Sequence, residues 1–300
     1  MKKRTPRILL FIIAGLILLP IDLYVVMRVA DRSYGTLSSG GQQRRYLLYV
    51  PETADLTRPM PLVLTLHGFA QWPANQATVS QWNALADAEG FIVVYPAGTG
   101  FPKRWDAASP PPNNADIQFL SDLIDELESK FPIDPERIYL NGLSNGGGMS
   151  VAFSCAFPER VAAFGSVAGA YVTPWENCQQ SRAVPALIFH GDADPIVPFT
   201  GGQGGPNNIV LPDIKTWVSQ LAARSGCSGA TTTIPTAPGV KGDRFEDCAA
   251  DLDYYVIAGG GHTWPGGNPL PEWITGKTLD LIDASAVMWE FFQTHALSTK

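Results

Sequence analysis

The sequence predicts an α/β protein in which a doubly wound, mostly parallel sheet carries helices on both faces. Three observations support this. Short apolar runs alternate with helical patterns along the chain, which is the order that builds parallel strands joined by crossover helices. The runs PLVLTL, FIVVYP and VPALIFHG are rich in Val, Ile and Leu without polar alternation, as strands buried on both faces are. Finally, 300 residues at 45% hydrophobic and 16% charged provide enough apolar surface for one large core, and no repeat divides them.

The chain opens with Lys2, Lys3, Arg4 and Arg7, followed by the uncharged, Leu/Ile-rich stretch Ile8 to Leu19. A basic flank before such a stretch is an export signal, so residues 1–30 read as a signal peptide or an N-terminal membrane anchor, with the remainder translocated. Residues 31–43 are polar and Gly/Ser-bearing and read as a linker. A single folded domain is then expected over 44–300.

A first strand is expected at Arg45 to Val50. Strand and helix then alternate: Pro61 to Leu66 with Thr78 to Ala88, Phe91 to Tyr95 with Asp116 to Lys130, and Arg137 to Leu140 with Asn145 to Phe157. Val161 to Val167 and Val184 to Phe189 are further strands. Tyr254 to Ile257 is the last strand, and a helix from about Leu279 to Thr294 closes the chain. In such sheets the reactive site lies at the carboxyl ends of the strands.

Composition excludes several function classes. The net charge is −7, and removing residues 1–30, with five cations and one anion, makes the remainder more acidic still. Nothing in that balance grips a phosphate backbone, so no nucleic-acid partner is expected. The Gly-rich run Gly201 to Asn208 lacks the lysine of a phosphate-binding loop. Cys155, Cys178, Cys227 and Cys248 suit an oxidising compartment. Of the three pairings open to them, the two sequence-local ones are expected, Cys155 with Cys178 and Cys227 with Cys248. No His/Cys cluster has zinc spacing, and no metal or cofactor is called for.

The chemistry concentrates at strand ends. Gly142-Leu143-Ser144-Asn145-Gly146 is a G-x-S-x-G pattern that follows the apolar strand RIYL and opens a helix, the context of a nucleophile elbow. The glycines let strand and helix pack closely while Oγ of Ser144 projects. A serine hydroxyl needs a base, and the base an orienting acid. Among four histidines, only His262 and His295 come late enough for the order serine, acid, histidine, and His262 lies in a Gly-rich loop after a strand. His67 and His190 read as hydrogen-bonded residues near sheet ends, and His295 as a solvated residue in the terminal helix. The loop His190-Gly191-Asp192-Ala193-Asp194-Pro195 supplies the acid. Asp194, further out, is preferred over Asp192, which suits a turn-stabilising role. Oxyanion donors are expected in the backbone N–H groups of Asn145 and of Phe69 in the His67-Gly68-Phe69-Ala70 loop.

Together LHGFAQ, YPAG, GLSNGGGMS, HGDADPIVPF and GGGHTWPGG resemble carbohydrate esterase family 1, in its polyhydroxybutyrate-depolymerase-like and feruloyl-esterase-like branch of the α/β-hydrolases. The similarity runs from about Arg45 to Phe292. It implies Ser144, Asp194 and His262 as triad, Phe69 and Asn145 as oxyanion donors, and an exported serine esterase acting on feruloyl or acetyl esters of plant polysaccharide or on short hydroxyalkanoate esters. The branch often carries Cys where Phe69 stands, which changes pocket shape but not a backbone donor. Cysteine placement also resembles the branch and supports the local pairing.

Only about 15 residues separate Ala168 from Val184, so a minimal lid and an open pocket are expected. Trp72, Trp105, Trp175 and Trp264 lie in loops, and Trp264 and Trp105 are expected as aromatic platforms for the substrate. The competing readings are a serine peptidase of the same fold and a catalytically silent binding protein. Against the first, no gating domain precedes the catalytic fold. Against the second, every triad position holds a competent residue.

Overall fold

The computed structural model describes residues 35–178, 181–206 and 208–297. The expected signal or anchor at 1–30 and the start of the expected linker, 31–34, lie outside them. Among the described residues no helix is long and apolar enough to cross a membrane.

The remainder of the expected linker is not a linker. Gly35–Ser39 (β1) and Gln42–Tyr49 (β2) pair antiparallel, with Ser39 opposite Gln42. The two residues between them, Gly40 and Gly41, have φ of 55° and 75°. Positive φ at both central positions is the tight hairpin turn that matches strand twist, and Gly adopts it without a Cβ clash. Buried Arg44 of β2 fixes the hairpin to the body, with Nη2 2.7 Å from Oδ1 of the equally buried Asp116.

The strands that follow are Met60–Leu66 (β3), Ile92–Pro96 (β4), Ile133–Leu143 (β5), Ala163–Val167 (β6) and Ala186–Gly191 (β7). After these come Gly202–Gly204 (β8), Ile209–Leu211 (β9), Thr231–Ile234 (β10), Val240–Phe245 (β11) and Leu252–Ile257 (β12). β8 and β9 form a separate hairpin; the other ten make one sheet in the order β1-β2-β4-β3-β5-β6-β7-β12-β11-β10. The six strands from β4 to β12 in that order run parallel, and antiparallel strands flank them at both edges. The chain winds outward from β3 to β4, then returns to the other side of β3 as β5. The reversal places the carboxyl ends of β3 and β5 side by side, with Leu66 opposite Gly142. A crevice at such a switch point is where open α/β sheets bind ligands.

The helices are Pro73–Ser80 (α1), Trp82–Glu89 (α2), Ala115–Lys130 (α3), Asn145–Ala156 (α4), Ile214–Arg224 (α5), Glu272–Thr275 (α6) and Ala284–Gln293 (α7). They sort onto two faces because strand side chains alternate. Leu62, Leu64 and Leu66 of β3 join one core layer with Leu120, Phe153 and Trp217 from α3, α4 and α5. Val63, between them, joins the opposite layer with Trp82 and Phe292 from α2 and α7. The expected single helix Thr78 to Ala88 is two, broken at Gln81 with φ 58°. The closing helix starts at Ala284, where Asp283 caps Ala286 N–H, and not at Leu279. The disulfides are Cys155–Cys178 and Cys227–Cys248, the sequence-local pairs.

Candidate active site

Ser144 sits between β5 and α4 with φ 57° and ψ −119°, a conformation that L-residues hold only when their surroundings impose it. Those surroundings are specific. Ser144 N–H donates to Val167 O at 2.8 Å, and Ser144 O accepts from Gly148 N–H at 2.9 Å and Ala170 N–H at 3.0 Å. A Cβ on Gly146 would lie 2.3 Å from Leu66 O, and one on Gly142 2.5 Å from the Gly146 carbonyl carbon. Backbone cannot yield at those distances, so the turn requires glycine on both sides of the serine.

The acid and the histidine come from the loops after β7 and β12. Asp194 Oδ1 accepts from the N–H groups of Ile196 and Val197, each at 2.8 Å, and Oδ2 lies 2.7 Å from His262 Nδ1. Burial pushes the Asp194 carboxyl up, but the facing imidazole of His262 and these hydrogen bonds outweigh it and hold the group below its ordinary value. An ionised carboxylate only accepts, so Nδ1 of His262 carries the hydrogen, and in the neutral ring the lone pair is then on Nε2. His262 N–H in turn donates to Thr275 O at the end of α6. Asp192 is placed differently: its Oδ1 accepts from Gly259 N–H at 2.6 Å and holds the loop that carries His262.

Ser144, Asp194 and His262 are all buried at the carboxyl ends of parallel strands. Among the described residues no hydrogen bond joins Ser144 Oγ to His262; the recorded half of the arrangement is the carboxylate–imidazole pair. Hydroxyl-to-base bonds are often long in an unoccupied site and tighten with substrate.

Two backbone donors flank the serine. The N–H groups of Phe69 and Asn145 donate to no group among the described residues, and that of Asn145 opens α4, where the helix dipole favours negative charge. The Asn145 side chain clamps a neighbouring loop, with Oδ1 accepting from Trp105 N–H at 2.7 Å and Nδ2 donating to Trp105 O at 3.0 Å. His67 fixes the Phe69 loop. Its Nε2 accepts from Gly98 N–H at 2.9 Å, which leaves Nδ1 to donate to Gly68 O at 2.8 Å.

His67 and His190 are hydrogen-bonded at sheet ends as expected, but their partners were not visible in the sequence: His190 Nε2 lies 2.9 Å from Val197 O and 3.5 Å from Asp194 Oδ2. The only sequence signal was a histidine ending each of two apolar strands.

In place of the aromatic platforms expected at Trp105 and Trp264, both rings are packed inside. Trp264 has no exposed surface and donates from Nε1 to Ser285 Oγ at 3.0 Å; Trp105 is 3% exposed and donates to His67 O at 2.9 Å. An indole N–H that finds a buried acceptor turns a loop tryptophan into core.

The family model described as esterase PHB depolymerase matches residues 44–196, from β2 through the elbow to the Asp194 loop. The chain belongs to that family. This PHB depolymerase-type esterase is 31% identical over 263 residues to NocK of Nocardia uniformis subsp. tsuyamanensis, which carries an esterase name; the match covers 79% of this chain and 76% of NocK. It is 27% identical over 266 residues to feruloyl esterase C of Emericella nidulans, covering 86% of this chain and 87% of that one. Among solved structures, the acetyl xylan esterase from Aspergillus awamori superposes with a TM-score of 0.64 at 17% identity, over 86% of this chain and 98% of that chain. At that identity the likeness is one of fold, the α/β-hydrolase fold. The PHB depolymerase-type esterase described here is a carboxylic-ester hydrolase.

Proposed function

We propose that Ser144, His262 and Asp194 form the triad of this esterase and that it works through an acyl-enzyme. The observation that carries the reading is the Asp194–His262 pair, 2.7 Å apart at the same rim as the strained Ser144. In the first half-reaction, His262 Nε2 takes the Ser144 hydroxyl proton as Oγ bonds to the ester carbonyl carbon. The tetrahedral oxyanion is received by the N–H groups of Phe69 and Asn145. As the C–O bond to the alcohol breaks, His262 gives its proton to the departing oxygen. Water repeats the sequence, with its proton going to His262 and then to Ser144 Oγ as the acid leaves. Asp194 keeps the imidazole in the tautomer with hydrogen on Nδ1 throughout.

The substrate class proposed is a feruloyl or acetyl ester of plant polysaccharide, or a short hydroxyalkanoate ester. Relatives named for feruloyl ester hydrolysis support it. Export is proposed from the basic and apolar N-terminal pattern, and the two disulfides suit it. The reading is tested with Ser144→Ala. Hydrolysis of p-nitrophenyl acetate should be lost while the thermal unfolding midpoint stays, and labelling by a fluorophosphonate should disappear. Turnover and labelling that persist in a folded Ser144→Ala protein would refute it. Side-by-side hydrolysis of acetylated xylan, methyl ferulate and hydroxybutyrate oligomers ranks the substrates.

A further inference from the structure

His190 lies near the end of β7 with its side chain fully buried, and the chain beyond it turns through Asp192 and Asp194 and comes back to it. The imidazole closes that return: Nε2 lies 2.9 Å from Val197 O, at a sequence separation of 7. A carbonyl oxygen only accepts, so Nε2 carries the hydrogen, and in the neutral ring that burial favours Nδ1 holds the lone pair. That Nδ1 is buried and meets no donor among the described residues. A ring used only as filling would need no nitrogen here. This one is turned so that its single hydrogen serves the acid turn while its other nitrogen goes without a partner.

Val197 is the residue at which the turn is gripped. Its N–H donates to Asp194 Oδ1, as that of Ile196 does, each at 2.8 Å, and its carbonyl takes the His190 hydrogen. The first half of the turn is bound elsewhere, by Asp192 N–H to Ile257 O and Ala193 N–H to Gly260 O. In the second half, Ile196 O accepts from Gly205 N–H at 2.8 Å, but Gly205 belongs to the separate β8–β9 hairpin. The bond from His190 is the one that ties this half to a strand of the main sheet, among the described residues. The same ring also faces the oxygen that meets the base: Asp194 Oδ2 lies 2.7 Å from His262 Nδ1 and 3.5 Å from His190 Nε2.

We propose that His190 is a positioning residue for the esterase reaction: by tying Val197 to β7 it holds the turn in the pose that keeps Asp194 Oδ2 against His262 Nδ1. The inference rests on the reading of Asp194 and His262 given above and adds to it a side chain that acts through the acid. The His190 hydrogen stays on Nε2 throughout turnover. What the ring supplies is placement, and misplacing a reacting group by about 1 Å costs on the order of 10² in rate.

The test compares two amides. In His190→Gln the amide nitrogen reaches the place of Nε2 and can donate to Val197 O, whereas in His190→Asn it stops short, at the place of Nδ1. His190→Asn should lower kcat on p-nitrophenyl acetate by about 10² with KM within about twofold, and His190→Gln should keep kcat within about threefold of wild type. His190→Met, of similar length and without a donor, should fall as His190→Asn does and replaces it if the shorter side chain does not fold. A second reading needs no turnover: the proton that His262 Nδ1 shares with Asp194 gives a far-downfield NMR resonance. It should be present in Ser144→Ala, shifted or lost when His190→Asn is added, and kept when His190→Gln is added. A wild-type kcat in folded His190→Asn or His190→Met, equal losses in His190→Gln and His190→Asn, or a lost rate with the resonance unmoved would each overturn the positioning role. Retained turnover in Ser144→Ala, by contrast, would remove the nucleophile and leave the resonance to judge His190 separately.

Discussion

Asp194 divides its two carboxylate oxygens between two tasks: Oδ1 is consumed by its own turn, through Ile196 and Val197, and Oδ2 alone faces His262 Nδ1, at 2.7 Å. An acid anchored this way cannot rotate without losing two backbone bonds. The orientation of the imidazole is therefore set by the backbone of the β7 loop.

The two acidic residues of that loop should part company on mutation. Asp194→Asn should lower kcat on p-nitrophenyl acetate by about 10⁴, because the amide favours the wrong imidazole tautomer. Asp192→Asn keeps an oxygen for Gly259 N–H and should leave kcat within about threefold. If Asp192→Asn were the crippling change, the acid would be the other aspartate.

Acid should destabilise the protein in two stages. Burial pushes the His190 imidazole below its ordinary value, with the facing Asp194 carboxylate opposing. The folded state keeps His190 neutral while the unfolded chain takes up a proton near pH 6.5, so stability falls as pH drops below about 6.5. Asp194 is held below its ordinary value, so its contribution is present above about pH 4 and is lost as pH falls further. The urea midpoint should drop between pH 7.5 and 5.0 in the wild type, and by less in His190→Asn. An equal drop in both would assign the first stage to another group.

Trp264→Phe should cost stability and not recognition. It removes the Nε1 bond to Ser285 Oγ, while Ser285 keeps its own bond to Ser80 O at 2.6 Å. The expected loss is about 1 kcal/mol in urea unfolding, with KM for methyl ferulate within twofold. A KM raised tenfold would restore the ring to the substrate.

Breaking the Cys155–Cys178 link, as the double serine variant, should cost about 3 kcal/mol, since the bridge closes a loop with a sequence separation of 23. The loss is read as the fall in the urea midpoint of the double serine variant; an unchanged midpoint would show that the bridge adds nothing to the fold.

The parallel centre of the sheet was legible because strands covered on both faces leave unbroken apolar runs, as in β3, β4 and β7. Of its antiparallel margins only β2 was, as the expected strand Arg45 to Val50. In β1 and β11 the polar residues facing solvent hide the pattern, and Gly40-Gly41, a tight hairpin turn, looks in isolation like linker composition. The helix α5 went unread for a related reason: Ile214, Trp217, Val218 and Leu221 make a buried stripe, but its polar face and the Gly-rich run before it resemble loop. In the proposed site, Ser144, Asp194 and His262 drew attention through their residue type and their place at strand ends, and the structure sets Asp194 against His262. Burial of Trp264 was not legible, because its acceptor lies 21 residues away and only folding brings Ser285 to it.

The Asp194 and His262 loops are laced to each other by Asp192 N–H to Ile257 O, Ala193 N–H to Gly260 O and Gly259 N–H to Asp192 Oδ1. With the elbow equally tethered, neither main chain has slack to lend when an ester arrives. On the proposed mechanism, Ser144 Oγ then meets the imidazole by turning about its own χ1, and turnover should be limited by bond making or product escape and not by a hinging loop.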